Sequence, residues 1–136
     1  MNLVPAASAE TTGLAAAMYA MQSISVLPLN GKVATDKWTF ATVRPMVPNH
    51  AARIWTQHPE YNVGIVCGKV SGLAVLDFDG LAAYALFARV FPDLTETFTV
   101  LTGSQNGKHV YLRPQEMPDN RRVMGLNVGN IELRTN

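Results

Sequence analysis

The sequence predicts an α+β fold, a mixed sheet with flanking helices, and three observations carry it. Short runs of β-branched and other apolar residues recur at residues 24–29, 62–67, 73–78, 97–101, 109–113 and 131–134. Apolar residues at helical spacing fill the stretches near the N-terminus, after Pro48 and after Leu81. Ten Gly and eight Pro supply turns between them. The resulting order is α-β-α-β-β-α-β-β-β, an α+β arrangement with an uneven sheet.

Each element has a local cause. Residues 1–7 read as a loose tail. Ser8 is a candidate helix cap, with Thr11 and Thr12 competing. Leu14, Met18 and Met21 then recur at helical spacing, and Gly13 weakens the first turn by about 1 kcal/mol relative to Ala. The run 24–29 stops at the turn dipeptide Asn30-Gly31. Residues 32–47 are irregular, with Trp38 and Phe40 as expected anchors. Pro48 suits a first helical turn, Ala51, Ile54 and Trp55 share a face, and Pro59 ends the element. Gly68 and Gly72 join the next two strands. A helix is expected from Leu81, with Leu81, Tyr84, Ala88 and Phe91 in line and Pro92-Asp93 closing it. Two strands flank the loop 102–108, residues 119–122 read as a polar loop, and a last strand covers 131–134.

Composition bounds the function. The 136 residues suit a single domain, 48% are hydrophobic and 15% charged, which is globular rather than disordered. Eleven Lys and Arg against ten Asp and Glu give a net charge of +1, so any nucleic-acid face must be a local patch. The one cysteine, Cys67, excludes an intrachain disulfide framework and a multi-cysteine zinc site; it ends a strand and reads as buried. The apolar run 14–21 is about half a membrane span, and no Lys or Arg precedes Lys32, so neither a span nor a secretory leader is expected. A cytoplasmic location is the expectation.

Asp77 and Asp79 are the strongest chemical signal. They follow the apolar run 73–76, and burying carboxylates there costs energy unless something compensates. Strand residues two apart share a face, about 6.6–7 Å from each other. A divalent cation would relieve their repulsion and act as Lewis acid and template. The same residues also fit a turn or helix cap at Asp79-Gly80. The loop through Thr102, Gly103, Ser104, Gln105, Asn106 and Gly107 could present backbone N–H groups to an anion, with Lys108 and His109 beside it, or could be a plain hairpin loop. No Walker pattern is present, since His109 follows Lys108. His109 shares a strand face with Tyr111, opposite Val110 and Leu112. His50 and His58 have no such company and read as surface residues. Glu132 and Arg134 share a face of the last strand and offer either a third acid for a metal site or an exposed ion pair.

Together these segments resemble a known family. They are Asn62-Val63-Gly64-Ile65-Val66-Cys67-Gly68, Ser71-Gly72-Leu73-Ala74-Val75-Leu76-Asp77-Phe78-Asp79, Thr99-Val100-Leu101-Thr102-Gly103-Ser104 with Gly107-Lys108-His109-Val110-Tyr111-Leu112-Arg113, and Ile131-Glu132-Leu133-Arg134. In this order they resemble the N-terminal domain of bifunctional DNA primase/polymerases. This is the prim-pol branch of the archaeo-eukaryotic primase superfamily, common in plasmids, phages and prophages. The resemblance covers residues 12–136.

The resemblance implies a primase/polymerase-like core with an RNA-recognition-motif-like half and the site on the open sheet face. Asp77, Asp79 and Glu132 would bind catalytic Mg²⁺ or Mn²⁺. His109 would contact the phosphates of an incoming NTP or dNTP, with Lys108, Ser104, Gly103 and Arg134 as further nucleotide-binding residues. The implied reaction is attack of a primer 3′-hydroxyl, or of an initiating nucleotide, on an α-phosphate. Two metals about 3.5–4 Å apart would stabilise the attacking and leaving oxygens. Implied partners are single-stranded or primer-template DNA and a fused or separate helicase, with no membrane. Two residues depart from the pattern: Leu101 stands where the family often has Arg, and the third acid is Glu132 rather than aspartate. Family members usually continue past the point where this chain stops, so the C-terminal part of the domain is expected to be missing and the edge at 131–134 open to association.

Two other functions fit parts of the sequence. A primase-like domain could bind a nucleotide or single strand without turnover. The run Leu76-Asp77-Phe78-Asp79-Gly80 also resembles the nucleophile motif of haloacid-dehalogenase-like phosphatases. Leu81 stands where that family has Thr or Val, and no downstream acidic pair follows Gly80.

Overall fold

A computed structural model describes residues 3–119, 121–126 and 129–135, and its elements group into two units, Met1–Ser71 and Gly72–Asn136. The fold is α+β. Every strand pairing among the described residues is antiparallel, so the sheet expected to be mixed is instead two antiparallel sheets. No described helix is long and apolar enough to cross a membrane.

In the first unit the loose tail is corrected. Val4–Ala7 form a short helix, α1, with Leu3 and Ala6 fully buried beside it. Apolar burial outweighs the entropy of ordering those few residues. Thr11 rather than Ser8 caps α2 (Thr12–Met21), accepting the Leu14 N–H at 3.1 Å. The Ser8 hydroxyl turns back to donate to the Val4 carbonyl.

The buried face of α2 is Ala16, Tyr19 and Ala20, while Leu14 and Met21 of the expected apolar line are exposed. Small residues win because α2 lies close to α3 (Pro48–Gln57). A Cβ on Gly13 would sit 3.0 Å from the Trp55 Cβ. On α3, Ala51 and Trp55 are buried as their spacing predicts, and the Trp55 indole donates to the Tyr61 carbonyl at 3.1 Å.

Strand β1 (Val26–Asn30) lies between β2 (Val33–Ala34) and β3 (Asn62–Ile65). The β1–β2 turn needs Gly31, whose φ is +62°. Trp38 and Phe40, the expected anchors, stand at the N-cap and within a 3₁₀ turn at Thr39–Thr42, and each is at least half exposed. Ser25 is buried instead: its backbone N–H donates to the Ser71 hydroxyl at 2.9 Å, and its own hydroxyl donates to the Ala41 carbonyl at 2.6 Å. Ser71→Ala takes away the partner of a buried N–H and should cost about 1–3 kcal/mol. A urea midpoint equal to that of the wild type, at constant slope, would show that the N–H finds another partner.

The second unit holds β4 (Ala74–Phe78), α4 (Leu81–Val90), the short α5 (Pro92–Thr95), β5 (Thr99–Leu101), β6 (Lys108–Leu112), β7 (Arg121–Leu126) and β8 (Gly129–Arg134). Their order in the sheet is β5-β6-β4-β8-β7. The crossover through α4 sets β5 in the same direction as β4 but one place away, and β6 fills the gap. A helical crossover therefore coexists with purely antiparallel neighbours. Residues expected as a polar loop at 119–122 partly belong to β7, which begins at Arg121; Asn120 lies outside the described residues. Strand β8 has β4 on one side and β7 on the other, so the edge expected to be open at 131–134 is paired.

The core of this unit is Leu76, Phe78, Ala83, Phe87, Val110 and Ile131, with Tyr84, Leu112 and Leu133 packed on it. Phe78 is at its centre, with Tyr84 and Phe87 edge-on at ring separations of 5.4 and 5.2 Å. The buried face of α4 is therefore 83, 84 and 87. The expected line through Leu81 and Phe91 fails at both ends, since both are exposed.

Candidate active site

Strand alternation decides which side chains meet. Ala74, Leu76 and Phe78 are buried on the helix side of β4, which turns Asp77 to the opposite face. Register then brings neighbours to it. Asp77 stands opposite His109 of β6 and opposite Glu132 of β8. The row continues to Val100 on β5 and, in backbone register, to Arg122 on β7.

The contacts follow from this register. His109 Nε2 lies 3.3 Å from Asp77 Oδ1. Arg134, two residues beyond Glu132 on the same face, reaches both acids: a terminal guanidinium nitrogen is 2.7 Å from Glu132 Oε2 and 3.5 Å from Asp77 Oδ2. The side chains of Asp77 and Glu132 are 22% and 29% exposed, so the pair is neither in bulk water nor sealed from it. Two carboxylates on adjacent strands repel one another, and like charges directly opposite destabilise a sheet. The Arg134 cation relieves this, and the shorter distance puts it nearer Glu132.

Asp79 lies just past β4. Its N–H donates to the Asn130 carbonyl at 2.8 Å, which extends the β4–β8 ladder by one pair and keeps Asp79 on the parity of Asp77. The side chain is exposed. Among the described residues no group of three or more His, Cys, Asp or Glu side chains is arranged to hold a metal ion. Of the three carboxylates expected to converge, Asp77 and Glu132 stand opposite each other in register, and Asp79 stands at the strand end.

Lys108 is also corrected. It precedes His109 and so occupies the other face, where its Nζ lies 4.0 Å from the centroid of the Tyr84 ring. Period-2 alternation, applied to Lys108 as it was to His109, carries that signal in the sequence. Ser104 and Gly103 lie in the exposed turn between β5 and β6. Thr102 donates its N–H to the Gly107 carbonyl at 3.0 Å, Gln105 donates to the Thr102 carbonyl at 2.8 Å, and the Ser104 hydroxyl is 3.1 Å from that of Thr102. Gly103 has open space around it, whereas a Cβ on Gly107 would come 2.5 Å from the Phe78 carbonyl oxygen. The turn therefore sits against the end of β4 that carries Asp79. What the sequence missed is that Arg134 bridges both acids; the i, i+2 spacing of Glu132 and Arg134 was visible, but their pairing with Asp77 needed the register.

No curated protein matches the chain. A family model described as bifunctional DNA primase/polymerase, N-terminal, matches residues 16–136, which leaves the phosphatase alternative without support. That span takes in most of α2, all of α3 and the whole His109–Asp77–Glu132 row, and by it this chain belongs to the Prim-Pol family.

Proposed function

We propose that this chain transfers nucleotidyl groups in a template-directed manner, as a DNA primase/polymerase, on the sheet face that carries Asp77, Glu132, His109 and Arg134. The observation that supports it is the register that sets His109, Asp77 and Glu132 side by side on three adjacent strands. In the reaction a bond forms between the primer 3′-oxygen and the α-phosphorus, the bond to the β-phosphate oxygen breaks, and pyrophosphate leaves. No covalent intermediate with the protein is needed, so the work of the side chains is positioning and charge.

The donor set suits a hard divalent cation. Asp77 and Glu132 offer carboxylate oxygens from neighbouring strands, partly open to water, which fits Mg²⁺ or Mn²⁺ held by few protein ligands and by substrate phosphates. Such an ion would supply Lewis acidity to the α-phosphate. His109 and Arg134 present N–H donors to phosphate oxygens on the same face, and Arg134 can do so in a forked geometry.

Primer extension on a DNA template, with Mg²⁺ or Mn²⁺ and either NTPs or dNTPs, tests this directly. Cation-dependent incorporation is expected. A second outcome is favoured by one contact: Arg134 already pairs with Glu132 and reaches Asp77, and such a site could hold a nucleotide without turnover. Nucleotide binding that persists in EDTA, with no incorporation under any cation, would select that non-catalytic reading.

His109→Ala should weaken nucleotide affinity about tenfold, the worth of one charge-assisted hydrogen bond. Stability should hardly move, because the side chain is 38% exposed and its ion pair with Asp77 is a surface one. A large fall in melting temperature with unaltered affinity would make His109 a structural residue.

A further inference from the structure

The segment between β1 and α3 presents its aromatic residues to water. Trp38 is 50% exposed and Phe40 58% exposed. Lys32 and Lys37 precede them, Arg44 follows, and all three are exposed too. Against these three cations the segment 30–47 holds a single acid, Asp36, a local balance of +2 in a chain whose formal charge is +1. The rest of the chain is therefore slightly acidic, and this segment is a basic patch of the kind the overall charge conceals.

The segment is also held in place. The Asn62 side-chain amide donates to the Gly31 carbonyl at 2.9 Å. Thr35 donates its N–H to the Pro28 carbonyl at 3.2 Å, and buried Ser25 pins the Ala41 carbonyl. Ala41 donates its N–H to the Trp38 carbonyl at 2.9 Å, which closes the 3₁₀ turn between the two rings. The Arg44 guanidinium lies 4.7 Å from the centroid of the Phe40 ring. Exposed aromatic rings on an ordered backbone, with cations on either side in the chain, lose little entropy on binding.

We propose that the Trp38–Arg44 patch is a stacking platform for single-stranded DNA. Unpaired bases offer flat faces to Trp38 and Phe40, and the intervening phosphates meet Lys32, Lys37 and Arg44. A duplex hides its base faces, and an apolar protein partner has no use for three flanking cations. The patch deepens the reading of this chain as a DNA-directed enzyme and rests on it only in the choice of DNA as ligand.

The experiment measures binding of oligothymidylate by anisotropy, with the full chain, across a salt series. Trp38→Ala and Phe40→Ala should each weaken binding about tenfold, while Trp38→Phe keeps most of it. Lys37→Ala and Arg44→Ala should each lower the steepness of log affinity against log salt by about 0.7. The oligonucleotide should quench the tryptophan fluorescence of the wild type and not of Trp38→Ala, because Trp55 is buried. Should an alanine variant fail to fold, the Lys37 and Arg44 salt slopes and the Trp38→Phe affinity decide alone. Wild-type affinity and salt slope in all of these variants would overturn the proposal, as would loss of self-association in Trp38→Ala with oligonucleotide binding unchanged. Strand binding that depends on Trp38 without any nucleotide incorporation would sink the polymerase reading and leave the platform standing. Incorporation with strand binding indifferent to Trp38 would do the reverse.

Discussion

Asp77→Asn is expected to lower nucleotide incorporation about a hundredfold to a thousandfold while the chain stays folded. Asp77 occupies the middle strand of its sheet and is the residue that both His109 and Arg134 approach. Asparagine keeps its size and one acceptor oxygen but removes the negative charge that would hold a cation and set the electrostatics of the face. The structural cost is small. The ion pairs lost are partly exposed and together contribute about 1 kcal/mol at most. Arg134 retains its 2.7 Å contact with Glu132, so no cation is stranded. Primer extension and a melting curve on the same preparation check the claim. Near-normal incorporation would place the chemistry away from this row; lost incorporation together with a collapsed melting temperature would make Asp77 a structural acid.

Gly129→Ala should destabilise the chain by about 3 kcal/mol or more. Gly129 opens β8 with φ near +127°, a conformation that costs an L-residue strain. An ideal Cβ there would lie 1.9 Å from the Asp79 carbonyl oxygen and 3.4 Å from the Ala83 Cβ. Backbone must move, and the backbone concerned is the end of β4. The Asp79–Asn130 hydrogen bond is adjacent, so the ladder that aligns Asp77 with Glu132 is disturbed at its start. Activity should fall with stability. Gly31→Ala provides the comparison: its φ is also positive, but nothing lies within 4 Å, so only the conformational cost of about 1 kcal/mol applies. Equal melting temperatures for the two variants would refute the steric argument.

Much of this protein was legible one residue at a time. Alternation put Asp77 and Asp79 on one strand face, and the same rule put His109 opposite Val110. Pro48 opened α3, and Gly31 made the β1–β2 turn. The order of motifs was enough to identify the family that the match over 16–136 shows. Such features depend on local sterics and period, which a short window contains.

Contacts between distant segments were decided only by tertiary structure. Burial of α2 through Ala16 and Ala20 rather than Leu14 and Met21 depends on how closely α3 approaches, and that distance is written in Gly13 and Trp55 together. Trp38 and Phe40 look like core residues by type, yet they are exposed while Ile24, Ser25 and Val26 are fully buried. The antiparallel slot taken by β6, the pairing of β8 with β4, and the bridge from Arg134 to Asp77 each join residues dozens of positions apart. Hydrophobic burial is non-directional, and it says that an apolar face must be covered without saying by what. Register, once the strands are paired, turns that indefinite demand into one row of side chains, His109, Asp77 and Glu132.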